Sequence, residues 1–244
     1  MSYFIYEGEV ELNQKIRLSG EEADHLIKSR RVREGEHIEV QDRRLLRFST
    51  RIEEILKHEI ILSPIEKLVS PPESLLKIHL FQALIKEKQL DLVLQKATEL
   101  GAASVNVFQC AYSQSLKKDI DKQLTRWKKI CIEACKQSGR VEPPILNFYE
   151  SLFDSELLDS FRSKHMQLLC LETSDSQGDH KPEVSETGEI GILIGPEGGW
   201  KEGELSGLPC RKIKLGPRIM RSETAAIAAI AILQYQLGDM SFDI

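Results

Sequence analysis

The chain has 244 residues, 41% hydrophobic and 29% charged, which is a globular composition with length enough for one or two domains and a sizeable core. No apolar run approaches the ~20 residues needed to span a bilayer. Residues 1–10 carry acids where a secretory signal would carry a basic start and an apolar stretch, so a cytoplasmic protein is expected. The five cysteines, Cys110, Cys131, Cys135, Cys170 and Cys210, sit mostly in apolar patterns with no paired Cys-x-x-Cys or nearby histidine. They read as reduced structural thiols, with no metal site.

Alternating apolar and polar positions over 3–6, 15–18, 37–40, 45–48 and 59–62 predict five short strands of a small barrel or partly open sheet. Residues 19–26 read as a helix with a capping box, Ser19 standing three residues before Glu22. His25 on this helix is a lone histidine, a type found more often in packing than in catalysis. The net charge of −5 argues against nucleic acid until charge is counted locally. Lys28, Arg30, Arg31, Arg33, Arg43, Arg44, Arg47 and Arg51 face four acids in the same segment, a balance of +4. Between Lys86 and Arg140 eleven basic residues face six acidic ones, a balance of +5. A solvated face is the commoner fate of a charge run, but two such patches in one chain favour phosphate and therefore RNA. Three prolines within 63–72 then predict a linker.

From Lys77 the pattern changes to alternating strands and helices. Strands are expected over 78–84, 103–110 and 166–171, and helices over 89–100 and 119–138. Leu90, Val93, Leu94, Ala97 and Leu100 share one face of the first helix, which Gly101 ends. Residues 173–188 are polar and read as a loop. This βαβ alternation predicts a parallel sheet between helices.

The most informative stretch is 189–236. Two β-branched runs each stop at a glycine-proline pair, Gly195-Pro196 and Gly216-Pro217. Proline cannot continue a ladder, so the chain turns outward at the carboxyl ends of two strands, where parallel-sheet enzymes bind ligands. Gly198 and Gly199 let backbone approach a bound group closely. Ser222 or Thr224 can cap an alanine-rich helix with Glu223 in its first turn. Two tight turns and a buried helix would satisfy the same residues, but two such loops feeding one helix favour a binding site. The P-loop, the Rossmann glycine fingerprint and Gly-x-Ser-x-Gly are all absent. What remains is a main-chain cradle of low charge, suited to an adenine-type ring.

Gly195-Pro196-Glu197-Gly198-Gly199 with the run from Leu215 through Gly216-Pro217-Arg218-Ile219-Met220-Arg221-Ser222-Glu223-Thr224 to Ala225 closely resembles the signature of the bacterial 16S rRNA uridine N3-methyltransferases of the SPOUT superfamily. The resemblance extends to 95–101, to Gln137-Ser138-Gly139-Arg140 and to the segment from His25 to Gly35. It implies an α/β protein: a PUA-like RNA-binding β-barrel over 1–70 and a trefoil-knotted methyltransferase domain with a parallel sheet over 71–244. It also implies a homodimer acting on 16S rRNA or the small ribosomal subunit, with S-adenosylmethionine bound by Leu171, Gly195, Pro196, Gly198, Gly199, Leu215, Gly216, Ile219, Met220, Thr224 and Ala225. Lys28, Arg30, Arg31, Arg33, Lys86 and Arg140 are the expected RNA contacts. Glu197 or Glu223 is a candidate base for the N3 proton, although Glu223 suits its helix cap equally well. Arg221 is a candidate for stabilising the uridine anion or anchoring a phosphate. The chain departs from the family at Tyr3-Phe4, at 111–115 and at Lys136. A ribose 2′-O-methyltransferase of the same superfamily and an inactive RNA-binding assembly factor are the alternatives.

Overall fold

The structure is a computed structural model and describes residues 3–116, 119–163, 166–172 and 188–242, with 182, 184 and 186, and without the side chains of 160–163. Its backbone divides into two units, Met1–Pro72 with Cys135–Glu142, and Glu73–Ala134 with Pro143–Ile244. Among the described residues no helix is long and apolar enough to cross a membrane.

In the first unit β1 (Tyr3–Ile5), β2 (Ile16–Ser19), β3 (His37–Gln41), β4 (Arg47–Ile55) and β5 (Glu59–Leu68) form one sheet in the order β1-β3-β4-β5-β2. β1 runs parallel to β3 and every other pair is antiparallel. The two end strands do not pair with each other, so the sheet is an open half-barrel. Its concave side buries Phe4, Leu18, Leu26, Val40, Phe48, Ile52, Ile60 and Leu62.

Three local expectations change here. The strand expected over 45–48 starts later, because Leu45 sits at φ 63° in a turn tied by Asp42, whose carboxylate accepts the N–H of Arg44 (2.9 Å) and of Leu46 (3.0 Å). The proline-bearing linker begins later too, since β5 runs through Pro64 to Leu68. Pro64 opposes Thr50 beside a register shift, the kind of bulge that tolerates a residue without an N–H. Ser19 makes no side-chain cap. It is the last residue of β2, and Gly20, at φ 72°, begins the helical turns directly after it: α1 (Gly20–Asp24) and the wider π-helical turn His25–Arg30.

The second unit is built on six parallel strands: β6 (Lys77–Ala83), β7 (Ser104–Phe108), β8 (Ile145–Tyr149), β9 (Gln167–Leu171), β10 (Glu189–Ile194) and β11 (Cys210–Ile213). Their order is β11-β9-β10-β6-β7-β8. The central strands are buried on both faces, which is why they read as unbroken apolar runs. Helix α2 (Glu87–Glu99) buries Leu90, Val93, Leu94 and Ala97, each large aliphatic side chain contributing ~1.5–3 kcal/mol. Helix α3 (Ile120–Ser138) buries Trp127, Cys131, Ala134 and Cys135. Strand β8 and helix α4 (Ser155–Ser163) were not expected from sequence. The polar segment expected as a loop over 173–188 falls largely outside the described residues. Helix α5 (Ser222–Leu237) buries Ala226, Ala229, Ile230 and Leu233 and packs on α2, β6 and β10. The end of α2 lies close to it: a Cβ at Gly101, which follows α2 at φ 81°, would lie 3.0 Å from Nε2 of Gln234.

Candidate functional site

The last rungs of the second sheet align Gln82, Ile194, Leu171 and Ile213 across β6, β10, β9 and β11. Every chain segment leaving these strands therefore emerges at one end of the sheet. The loop after β10 carries Gly195, Pro196, Glu197, Gly198 and Gly199, and the segment after β11 carries Leu215, Gly216, Ile219, Met220 and Arg221. The two Gly-Pro loops meet at one side chain. Ser222 Oγ donates to the Gly195 carbonyl (2.6 Å) and accepts from Gln82 Nε2 (2.9 Å), which also donates to the Ala83 carbonyl (3.0 Å).

This corrects the expected cap. Arg221 stands at the N-cap position without a side-chain cap bond, and Ser222 is the first helical residue, its hydroxyl engaged across the fold. The long-range acceptor displaces the local role that serine would otherwise play at a helix start.

The first loop is tightly packed. Gly199, at φ 74°, returns its N–H to the Pro196 carbonyl (3.0 Å). A Cβ at Gly195 would lie 2.9 Å from Cε2 of Trp200, whose ring stacks on Phe108 at 6.3 Å. Glu197 is exposed, and its carboxylate accepts the main-chain N–H of Lys86 at the start of α2 (3.3 Å). A Cβ at Gly198 would lie 3.2 Å from Cβ of Tyr112. Glu204 holds two neighbouring turns together, accepting the N–H of Ala111 (2.7 Å) and of Lys201 (2.9 Å).

The second loop is open. Gly216 turns at φ 71° with no atom within 4 Å of where a Cβ would stand. Among the described residues the main-chain groups of 215–220 make no hydrogen bond to protein. Ile219 is 84% exposed although apolar, and Leu215 packs on the core beneath. A run of free N–H and C=O groups beside an exposed isoleucine is chemically matched to a flat heteroaromatic ring with donors and acceptors at its edge. Arg221 and Thr224 are exposed, Ala225 is half-buried, and Glu223 is buried in the first turn of α5. Gln82 Oε1 is buried with no hydrogen-bond partner among the described residues.

Of the basic candidates, Lys86 lies at this end of the sheet. Lys28, Arg30, Arg31, Arg33 and Arg140 belong to the first unit. Lys28 pairs with Asp24 (2.8 Å), Arg30 lies over the Phe4 ring (5.5 Å), and Arg31 and Arg33 are exposed. Arg31 adopts φ 52°, ending the π-helical turn. Arg47 is buried: its guanidinium lies 3.9 Å over the Tyr3 ring and donates to the carbonyls of Gly139 and Arg140, both at 2.7 Å. Tyr3 Oη donates to the same Arg140 carbonyl (2.9 Å), and Gln41 Nε2 to that of Val141 (3.0 Å). Lys136 is also buried, paired with Glu22 at 2.9 Å, so two of the family departures have partners inside this chain.

Gln82, Trp200 and Glu204 were not among the expected site residues, and Tyr112 entered only within the departure at 111–115. Trp200 directly follows the glycine pair at 198–199, so its place beside the first loop was the nearest to a recognised motif.

Residues 71–234 match the model of the RNA methyltransferase domain family. The ribosomal RNA small subunit methyltransferase E of Bacillus subtilis is 30% identical over 233 residues, covering 90% of this chain and 89% of that protein. The protein of the same name from Buchnera aphidicola of Acyrthosiphon pisum is 28% identical, covering 96% and 92%. The crystal structure of ribosomal RNA small subunit methyltransferase E from Neisseria gonorrhoeae bound to S-adenosyl methionine superposes with a TM-score of 0.84 at 29% identity, covering 99% of this chain and all of that one. With likeness running across the open half-barrel, the parallel sheet and both Gly-Pro loops, the chain belongs to the RNA methyltransferase family, among the ribosomal RNA small subunit methyltransferases E.

Proposed function

We propose that this protein is a cytoplasmic, S-adenosylmethionine-dependent methyltransferase that acts on N3 of a uridine in the 16S rRNA of the small ribosomal subunit. The observation that carries the reading is the cradle at the sheet's carboxyl end, where the main-chain groups of 215–220 have no hydrogen-bond partner among the described residues and the Ser222–Gly195 bond ties the end of that segment to the first loop. Leu171, Gly195, Pro196, Gly198, Gly199, Leu215, Gly216, Ile219, Met220, Thr224 and Ala225 would hold the cofactor, which supplies an electrophilic methyl group on a sulfonium. Gly216 and Gly199 keep side chains out of that space.

Uridine N3 carries a proton in the neutral base, so the chain must remove it and hold the nitrogen in line with the methyl carbon. Glu197 is exposed and held by the Lys86 N–H, which suits a carboxylate that takes this proton. Arg221, exposed between the second loop and α5, would hold the resulting uridine anion through its planar fork. Glu223, buried in the first turn of α5, orients that helix start and is the second candidate for the base. The half-barrel over 1–70 supplies RNA grip through Arg30, Arg31, Arg33 and Lys28, with Arg140 presented by the carbonyl clamp of Arg47, while 71–244 performs the chemistry. A homodimer is favoured by the apolar end of α5, where Tyr235, Leu237, Met240 and Phe242 are exposed together. The knotted threading implied by the family belongs to the same reading, with the two Gly-Pro loops as its crossing.

Small subunits from cells lacking this modification, incubated with the protein and labelled S-adenosylmethionine and then digested to nucleosides, test the proposal by mass spectrometry. 3-Methyluridine at one position is the expected product. A 2′-O-methylated nucleoside would transfer the reading to ribose chemistry, and cofactor binding without any methylation would make the protein an assembly factor.

A further inference from the structure

Tyr112 stands at the rim of this site with no role in the chemistry above. It is 54% exposed, on the turn that follows β7. Four bonds fix the backbone of that turn. Ala111 N–H donates to Glu204 (2.7 Å), Cys110 N–H to Ser113 Oγ (3.0 Å), Ser113 N–H to the Cys110 carbonyl (3.1 Å), and Gln114 N–H to the Leu84 carbonyl (2.9 Å). The side chain leans on the Cβ-less face of Gly198, so it borders the first Gly-Pro loop. An open recess of about 270 Å³ lies beside the turn, lined by Ala111, Phe153, Glu150 and Glu204, with Phe153 49% exposed.

A rigid backbone that displays an aromatic ring to solvent has already borne the ordering cost of a binding surface. The two carboxylates bordering the recess disfavour a phosphate, whereas a base presents a neutral π-face and edge N–H donors. We propose that Tyr112 is a stacking platform for an unpaired nucleobase of the RNA substrate, next to the uridine that enters the methyl-transfer site. The inference rests on the RNA methyltransferase reading given above and adds to it a base contact outside the cofactor cradle.

The test uses the full-length protein with oligouridylate and with an abasic ribose-phosphate strand of equal length. Tyr112→Phe keeps the π-face, Tyr112→Leu keeps bulk without it, and Tyr112→Ala removes both. Loss of one stacked base should weaken oligouridylate binding by roughly five- to 150-fold, or ~1–3 kcal/mol, in the Leu and Ala variants and leave Phe near wild type. Affinity for the abasic strand should not change, nor should the salt slope, because no phosphate contact is lost. S-adenosylmethionine affinity should stay at the wild-type value, which also reports that the loop at Gly198 has kept its shape. Wild-type oligouridylate affinity in Tyr112→Leu, or equal losses on both strands, would overturn the platform. If wild-type protein methylates small subunits while Tyr112→Leu binds RNA unchanged, only the platform fails; if wild-type protein neither binds nor methylates RNA, the functional reading falls and takes the platform with it.

Discussion

Ser222→Ala probes how the two Gly-Pro loops are held together. An amide N–H can only donate, so Gln82 Nε2 obliges the Ser222 hydroxyl to accept from it and directs the hydroxyl proton to the Gly195 carbonyl. Alanine leaves that N–H and that carbonyl without partners, at a place where Ser222 is 7% exposed and Gln82 not at all. Leaving such groups unsatisfied costs about 1–3 kcal/mol. For a chain of this size the melting temperature should fall by about 2–12 °C, at about 2–4 °C per kcal/mol. If the bond also sets the spacing of the loops, S-adenosylmethionine affinity measured by calorimetry should fall as well, by up to about 150-fold for the upper figure. Thr98→Val is the control. It removes a fully buried hydroxyl that donates to the Leu94 carbonyl (2.7 Å) inside α2, away from the loops. It should lower stability and leave cofactor affinity alone. A Ser222→Ala protein that melts early yet binds the cofactor as tightly as wild type would reduce this bond to scaffold and refute the argument.

Gly195→Ala should displace Trp200, whose Cε2 lies 2.9 Å from the new methyl, and should shift tryptophan emission, whereas Gly216→Ala meets no neighbour. It should cost about 1–2 kcal/mol from its left-handed backbone alone, with emission unchanged. Lys136→Glu places like charges where Lys136 and Glu22 now pair in a buried setting, and should destabilise by about 3–5 kcal/mol in urea titrations. The charge-swapped double variant with Glu22→Lys should recover most of that loss. Hydrogen bonding from Cys170 draws the Cys210 thiol down to about 7, while burial, assisted by Glu204, pushes Cys110 up to about 11. The thiolate of Cys210 is therefore populated as pH rises through about 7. Iodoacetamide at pH ~8 should label Cys210 well before Cys110 in peptide maps.

The legible parts of the chain were those whose burial is uniform. β6, β7 and β10 are covered on both faces and read as continuous apolar runs, and the α2 face repeats with helical period. β8 escaped because it is an edge strand with mostly half-exposed positions, preceded by Pro143 and Pro144, so neither alternation nor continuity marks it. β5 ran past its expected end because a single bulge accommodates Pro64, and composition alone cannot reveal which strand register provides one. At the site, the Gly-Pro pairs were visible locally, but what fastens them was not. Gln82 and Ser222 are 140 residues apart, and a serine at a helix start carries a strong local cap signal that its long-range partners override.

Charge shows the same limit in another form. The local balances of +4 and +5 counted every cation alike, yet a cation can contact RNA only if its head group is exposed and not already neutralised. Arg43 pairs with Glu9, Arg44 with Asp42, Lys28 with Asp24, Lys96 with Glu99 and Arg126 with Asp91. Arg47 and Lys136 are buried and fix carbonyls and a carboxylate within the first unit. Exposed pairs of this kind contribute little to stability and exchange readily for a phosphate, so pairing does not remove Lys28 as a contact. Burial does remove Arg47 and Lys136. The arginines that combine exposure with no carboxylate partner among the described residues include Arg31 and Arg33, at the end of the π-helical turn, with Arg30 lying over Phe4 beside them. Of the eight cations counted in that segment burial thus removes only Arg47, whose guanidinium holds the carbonyls of Gly139 and Arg140, while the geometry of the run around Arg31 is set by its left-handed turn.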